Sequence, residues 1–388
     1  MSKILPWNWA ENSPAQPLYF DYAATTPVDE RVIERMVACL GKGATFGNPA
    51  SSSHVFGQQA REQVERARRQ VAELVGASPA QLIWTSGATE SNNLALKGVA
   101  QARGNKGHII SSQLEHKAVL DTLKQLENDG VAVTYLAPDR TGAITAAAVS
   151  QALRDDTFLV SLMLVNNELG TVTDIATIGQ IVRDHGALFH VDAAQATGKV
   201  TIDLASLAVD LMSFSAHKTY GPKGIGALYI GARASNQVQA QIHGGGHEMG
   251  LRSGTLATHQ IVGMGEAFAL AQEHGEHERA NISALRHRLL AALADSPVVI
   301  NGNKTTHIPH TLSLTPYWDF AIGNELAFSS TSACNSASNA PSHVLLALGL
   351  KADEALRTIR LSFGRFSTEQ EVDRAAVLIR KALTVPTP

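Results

Sequence analysis

Short apolar runs alternate with helix-like segments between about residues 80 and 230 of this chain. The runs at 82–84, 109–110, 159–165 and 187–191 are typical of buried strands, and each is followed by a turn or by apolar residues at helical spacing. This alternation predicts an α/β fold with a mostly parallel sheet flanked by helices. Ligands of such sheets gather outside the carboxyl ends of the strands, so the residues that follow each run are candidates for a functional site.

The most specific of these strand ends lies at residues 213–226, Ser-Phe-Ser-Ala-His-Lys-Thr-Tyr followed by Gly-Pro-Lys-Gly-Ile-Gly. An apolar run delivers Ser215, His217 and Lys218 into the turn. A lysine held there, beside a hydroxyl and an imidazole, is suited to form a Schiff base with a phosphate-bearing aldehyde cofactor. A lone lysine in a polar turn is usually only solvated, so this interpretation depends on residues further upstream.

The apolar run at 187–191 ends in Asp192, and Gln195 follows three residues later. Pyridoxal 5'-phosphate (PLP) acts as an electron sink only while its ring nitrogen is protonated, and a fixed carboxylate keeps it so. Asp192 suits that role, and Gln195 is placed to hydrogen-bond the phenolic oxygen of the ring. Taken alone, an aspartate at a strand end is more often a helix cap or a turn former.

Three further strand ends carry polar residues. The turn Thr-Ser-Gly-Ala-Thr-Glu-Ser at 85–91 opens a helix pattern, so the backbone N–H groups at Ala88 and Thr89 can form an anion site. An ordinary capped helix is the alternative, and the turn lacks the Gly-Lys-Ser/Thr of a Walker loop. His116 is expected to stack on a cofactor ring and move protons, and Asn167 offers an amide at the end of the next run.

In this order the motifs resemble the class V, fold-type I PLP enzymes, and among them the cysteine desulfurases of the NifS/IscS type. The resemblance extends over nearly the whole chain and includes Thr-Ser-Gly-Ala-Thr-Glu-Ser, Val-Asn-Asn-Glu, Ser-Ala-His-Lys-Thr-Tyr-Gly-Pro-Lys-Gly and Arg-Ser-Gly-Thr. It implies a large domain at 26–269 with a seven-stranded sheet. A smaller α/β domain is implied at 1–25 and 270–388, with a cysteine loop at 329–341.

The resemblance also implies a role for each site residue. Lys218 would hold PLP covalently, Asp192 would pair with the ring nitrogen, Gln195 with the phenolic oxygen, and His116 would stack on the ring. Ala88 would also bind the cofactor. The residues that would hold its phosphate group are Thr89, Ser215, His217 and, from a second subunit, Thr255. A homodimer is therefore implied.

Asn167 and Arg360 would bind the carboxylate of the substrate L-cysteine. Arginine is suited to this because its planar fork can bond a carboxylate through two N–H groups. The alternative for Arg360 is a structural or surface ion pair.

The chain contains only two cysteines, Cys39 and Cys334, so neither a disulfide framework nor a cysteine-based metal site is expected. Cys39 falls in an apolar-periodic segment and is predicted to be a small buried residue. Cys334 falls in a run of small polar residues, which predicts an exposed, mobile loop. The resemblance places the persulfide-forming cysteine there, and a thiolate is the nucleophile this requires.

The predicted reaction converts L-cysteine to L-alanine, with Lys218 removing the Cα proton, His116 as general acid and base, and a persulfide formed on Cys334. The persulfide sulfur would pass to a protein acceptor, for iron–sulfur clusters, tRNA or cofactor thiolation, or DNA phosphorothioate modification. Two alternatives stay open. One is another reaction on the same fold, by a selenocysteine lyase or an aminotransferase. The other is a sulfur-relay subunit with little activity until its partner binds.

The rest of the chain narrows the partners and the compartment. The net charge is −3 with histidine neutral, and no dense basic cluster supports direct nucleic-acid binding. The sequence has no run of 18 apolar residues, so no membrane association is expected. Met1 is not followed by the apolar core of a signal peptide, so a cytoplasmic location is expected. Helical periodicity predicts one helix at 59–75 and a long one at about 259–293, with a possible interruption near Gly275.

Overall fold

The computed structural model of the protein describes residues 16–329 and 340–384. The strands in these ranges are β1 (Leu18–Tyr19), β2 (Leu82–Thr85), β3 (His108–Ser112), β4 (Ala132–Leu136), β5 (Thr157–Met163), β6 (Leu188–Asp192), β7 (Leu211–Ser215), β8 (Gly226–Ile230), β9 (Val298–Asn301), β10 (Thr311–Pro316), β11 (Leu326–Ala327) and β12 (Ile359–Ser362). The α-helices are α1 (Glu30–Val37), α2 (Val55–Val75), α3 (Ala88–Ala102), α4 (Lys117–Asn128), α5 (Ala146–Ala152), α6 (Ile175–His185), α7 (Thr258–Ala292), α8 (His343–Ala347), α9 (Ala352–Arg357) and α10 (Glu369–Leu383).

The main sheet has seven strands in the order β2-β8-β7-β6-β5-β3-β4. The pairs from β7 to β4 are parallel, whereas β8 is antiparallel to both of its neighbours, β2 and β7. Because only β8 is reversed, the carboxyl ends of the other six strands meet at one edge. The predicted seven-stranded, mostly parallel sheet is confirmed.

Each face of this sheet packs against its own hydrophobic core. Successive side chains of a strand point to opposite faces, so β2 sends Trp84 into one core and Ile83 into the other. In the same way β7 contributes Phe214 to the first core and Leu211 to the second. Burial on both faces explains why these strands are continuous apolar runs in the sequence.

A third core lies around the smaller sheets. Strand β10 pairs antiparallel with β9 and β12, and β1 pairs with β11 in parallel. The core beside them draws on Leu18, Phe20 and apolar residues between Ile282 and Leu383. Val344 packs into the first core, although it belongs to the range 270–388 predicted for the small domain. The domain limits 26–269 and 1–25 with 270–388 stay a prediction.

Two helices differ from the sequence prediction in an instructive way. Helix α2 begins at Val55 rather than at residue 59, because His54 caps it by accepting the N–H of Gly57 on its ring at 3.3 Å. Histidine is a rare N-cap, so the signal was missed. Helix α7 continues through Gly275 without the suspected interruption. An isolated glycine is tolerated inside a helix, at a cost of about 1 kcal/mol relative to alanine.

The two cysteines differ in what the structure says of them. Cys39 is buried at 7% exposure just after α1, as predicted. Cys334 lies outside the described residues, as does most of the predicted loop at 329–341. Within the described ranges, none of the helices combines the length and the apolar character that a membrane crossing requires.

Candidate active site

The carboxyl edge of the main sheet opens into a cavity of about 440 Å³. Its wall is formed by the segments that follow β2, β3, β5, β6 and β7, as expected for an α/β sheet. The sequence-predicted residues that line it are Ala88, Thr89, His116, Asn167, Asp192, Gln195, Ser215, His217, Lys218 and Arg360.

Two predicted site residues are not part of this cavity as described. Thr255 is exposed and does not line it. Its expected place in the site of a second subunit stays a prediction. Cys334 belongs to the residues that the structure does not describe.

Asp192, the last residue of β6, accepts hydrogen bonds from two donors. Asn92 on α3 donates from Nδ2 to Asp192 Oδ2 at 2.9 Å, and the Ala194 N–H donates to Oδ1 at 2.9 Å. Both Asp192 and Asn92 are buried. Hydrogen bonds from N–H groups stabilise a carboxylate and fix its orientation. Asn92 was not predicted, although it stands inside the motif at the start of α3.

The amino end of α3 forms a concave backbone surface against β8. Gly87, the N-cap of α3, has φ 153° and makes no side-chain capping bond. A Cβ on Gly226 would lie 2.7 Å from the Cα of Gly87 and 2.4 Å from the Phe214 carbonyl oxygen, so the two glycines permit this close approach. The first N–H groups of α3 thus face the cavity beside Thr89 and Ser215, an arrangement that suits a phosphate.

Gln195 has both ends of its amide fixed. Its Nε2 donates to the Ala23 carbonyl oxygen at 2.8 Å, and its Oε1 accepts from Lys199 Nζ at 2.8 Å. Lys199 was not singled out from the sequence, because a lysine after a turn carries no pattern of its own.

The two histidines of the cavity are neutral near pH 7. Burial, with the positive charge of Lys218, lowers the pKa of His116. Burial and the charges of Lys218, Lys223 and Lys199 lower the pKa of His217 to about 4. His116 Nδ1 accepts the Ala118 N–H at 3.1 Å as the N-cap of α4, which places the ring proton on Nε2. A bound phosphate would oppose the shift at His217.

Arg360 on β12 is buried at 4% exposure at one side of the cavity. Its Nη1 donates to the Asn167 carbonyl oxygen at 3.0 Å, and its Nη2 donates to Asp21 Oδ1 at 2.8 Å and Ser329 Oγ at 2.9 Å. Its Nε is buried and has no hydrogen-bond partner within the described chain. An unsatisfied guanidinium donor beside a cavity is chemically matched to a carboxylate ligand.

Residues 18–375 match the family model described as aminotransferase class-V. The chain therefore belongs to the aminotransferase class-V family. Enzymes of this family depend on PLP. The cavity fits that cofactor by the chemistry of the groups that line it: a lysine, a buried carboxylate, an amide, and an uncapped helix N-terminus beside two hydroxyls.

Similar proteins are known at high identity. The cysteine desulfurase IscS of Pseudomonas aeruginosa (strain LESB58) is 58% identical over 377 residues, which cover 95% of this chain and 93% of that protein. A solved NifS-like protein has a TM-score of 0.87 at 37% identity, covering 95% of this chain and 100% of its own. The structure of SspA in complex with cysteine has a TM-score of 0.81 at 41% identity, covering 90% and 99%.

Proposed function

We propose that this protein is a PLP-dependent cysteine desulfurase that converts L-cysteine to L-alanine and retains the sulfur as a persulfide. The observation that carries the proposal is the single cavity that joins two sets of groups. One set is the lysine, carboxylate and amide that suit PLP, and the other is Arg360 with Asn167. The relative named as a cysteine desulfurase, 58% identical, supports the same reaction.

The cofactor is held by residues from separate strand ends. Lys218 would provide the covalent attachment, Asp192 would pair with the ring nitrogen, and Gln195 would donate to the phenolic oxygen. The amino end of α3 would receive the cofactor's phosphate group, and the other residues that would hold the cofactor are Ala88, Thr89, Ser215, His217 and the Thr255 of a second subunit. Bound PLP supplies an electron sink for the bonds at the substrate Cα.

Arg360 binds the carboxylate of L-cysteine, with the Asn167 side chain beside it. Arg360 is already oriented by the Asn167 carbonyl oxygen and by Asp21, so little side-chain entropy is lost when the substrate binds. Its buried Nε gains the partner that it lacks among the described residues. A buried arginine and a carboxylate form a strong, directional pair.

The chain's own groups move the protons and accept the sulfur. The Lys218 amine would act as the base that removes the proton from Cα of the substrate. His116, whose Nε2 carries the ring proton, acts as general acid and base for the substrate thiol and for the departing product. The Cys334 thiolate attacks the substrate sulfur: the C–S bond breaks and an S–S bond forms. L-Cysteine and the Cys334 thiol thus give L-alanine and the Cys334 persulfide, without any added oxidant.

The described stem of the cysteine loop supports this role. Ser329 pairs with Arg360 through both backbone and side chain: its N–H donates to the Arg360 carbonyl at 3.2 Å, and Arg360 N–H donates back at 2.7 Å. The first residue of the predicted loop is thus tied to the arginine that would bind the substrate. The persulfide sulfur then passes to a protein acceptor. The enzyme works in the cytoplasm as a homodimer.

Replacement of Cys334 tests the proposal. The purified holoenzyme is incubated with L-cysteine, with and without a reducing thiol, and alanine and sulfide are quantified. With the reducing thiol we expect equal amounts of both from the wild type, because the thiol releases the persulfide sulfur as sulfide. Both products should fall at least about 100-fold in Cys334→Ala, since removal of a covalent nucleophile abolishes the step it performs. Cys39→Ala is the matched control, because it removes the only other cysteine, and it should retain activity.

Two results would contradict parts of the proposal. Alanine formation that is unchanged in Cys334→Ala would mean that this cysteine does not accept the sulfur, and would favour a lyase or transaminase reaction at the same site. A wild-type protein that binds PLP but forms no alanine until a partner protein is added would favour the relay subunit instead.

A further inference from the structure

Lys199 lies directly behind Gln195, four residues later in the chain, and is half-buried. Its ammonium Nζ donates to Gln195 Oε1 at 2.8 Å. The residue also borders a small internal cavity of about 20 Å³ that it shares with Lys218 and His310. Lys199 does not line the large cavity described above, but it contacts Gln195, which does.

The contacts on the Gln195 amide have opposite polarity. The Ala23 carbonyl oxygen can only accept, so it selects the amide nitrogen, and the Lys199 ammonium can only donate, so it selects the amide oxygen. A flipped amide would set oxygen against oxygen and N–H against N–H. The orientation is thus fixed, and the group that Gln195 offers to the cavity is an N–H donor.

The surroundings of the Lys199 side chain disfavour a positive charge. Burial, with the charges of Lys218 and Arg360, lowers the pKa of Lys199 to about 7. Lys199 in turn helps to lower the pKa of His217 and of the buried His310, and Arg279 also acts on His310. An apolar residue of similar length would avoid this repulsion, and buried charges are often replaced by apolar groups without loss of stability. A function at the cofactor accounts for a lysine here.

We propose that Lys199 is a positioning residue of the cofactor site, which holds the Gln195 amide so that it donates to the phenolic oxygen of PLP and favours the ionised form of that oxygen. The proposal rests on the PLP site proposed above. An ionised phenolic oxygen that is stabilised by Gln195 binds a proton less tightly, and so does the Lys218 nitrogen that shares this proton. The anionic groups of bound PLP in turn favour the charged form of Lys199.

The proton affinity of the bound cofactor is measurable without turnover. We would titrate the visible absorbance of the holoenzyme between pH 6 and 10, in the absence of substrate, for wild type, Lys199→Met and Lys199→Arg. Lys199→Met should raise the pKa of the absorbance change by about one unit, the order expected for loss of one nearby charge at an effective dielectric constant of about 20. Lys199→Arg keeps the donor and the charge, and should stay closer to wild type.

A double substitution tests whether the effect passes through Gln195. Gln195→Leu should raise the same pKa, and adding Lys199→Met to it should change the pKa by less than half of the single-variant shift, because coupled residues are not additive. Lys124→Met is the matched control, since Lys124 is exposed on α4, and it should titrate like wild type. If Lys199→Met does not fold, Lys199→Gln is titrated with the same expectation.

The possible failures are distinguishable. If wild type shows no PLP absorbance that depends on Lys218, the proposed function itself is wrong. If wild type binds PLP normally and Lys199→Met titrates within about 0.2 unit of it, the role of Lys199 is refuted while the proposed function stands. Equal shifts in the presence and absence of Gln195 would also refute the proposal, since Lys199 would then act independently of the amide.

Discussion

Glu115 is fully buried directly before His116, and replacing it by glutamine should alter how stability depends on pH. Burial, with a smaller contribution from the Asp192 charge, raises the pKa of Glu115 from 4.5 to about 8. Ser112 Oγ donates to its Oε1 at 2.7 Å, and the Met163 N–H donates to the same atom at 3.1 Å. Near pH 7 the carboxyl group is therefore protonated in the folded protein and ionised in the unfolded chain.

The sign of the effect follows from proton binding. Between pH 4.5 and 8 the folded state binds more protons at Glu115 than the unfolded state, so the wild type loses stability as pH rises. Glutamine keeps an oxygen for Ser112 and Met163 but does not ionise. From pH 5 to pH 7 the free energy of unfolding of the wild type should fall by about 2 to 3 kcal/mol relative to that of Glu115→Gln. The expected change is about 1.4 kcal/mol for each pH unit.

The assay is a set of thermal melts at pH 5, 6, 7 and 8. Unfolding entropy of about 2.1 cal/mol/K per residue amounts to about 0.8 kcal/mol/K for this chain, so the Tm of Glu115→Gln should rise relative to wild type by about 3 °C between pH 5 and 7. Glu62→Gln, at an exposed position on α2, is the matched control for removing one glutamate. A Tm difference for Glu115→Gln that stays constant over this range would refute the reasoning.

Two further substitutions test the cofactor site. Asn92→Leu removes the donor to Asp192 and should weaken PLP binding about 10- to 100-fold, as expected for one charge-assisted hydrogen bond; equilibrium binding by absorbance measures this. Asn93→Leu is the neighbouring control, because the Asn93 side chain donates to the Thr89 carbonyl oxygen of its own helix and not to Asp192. An equal loss there would contradict the role of Asn92. Gly226→Ala places a Cβ 2.7 Å from the Gly87 Cα, and should lower both Tm and PLP affinity; a variant that keeps wild-type values would show that the loop before α3 adapts.

Much of the fold could be predicted from the sequence because its signals are local. Strands buried on both faces are continuous apolar runs, and this makes β5, β6 and β7 easy to recognise. The start of α2 was missed because its cap is a histidine. The continuity of α7 through Gly275 could not be predicted, because a glycine inside a helical pattern is compatible with both a continuous and an interrupted helix.

The sequence by itself determined which residues stand at the carboxyl ends of the strands, including Asp192 and Lys218. A side chain next to a strand end is carried to that edge by the strand, so position along the chain is sufficient. Only the tertiary structure decided which groups orient them: Asn92 bonds Asp192 across 100 residues, and Asp21 bonds Arg360 across 339. Such partners meet through the packing of separate elements, and hydrogen bonds of this kind leave no periodic trace in the sequence.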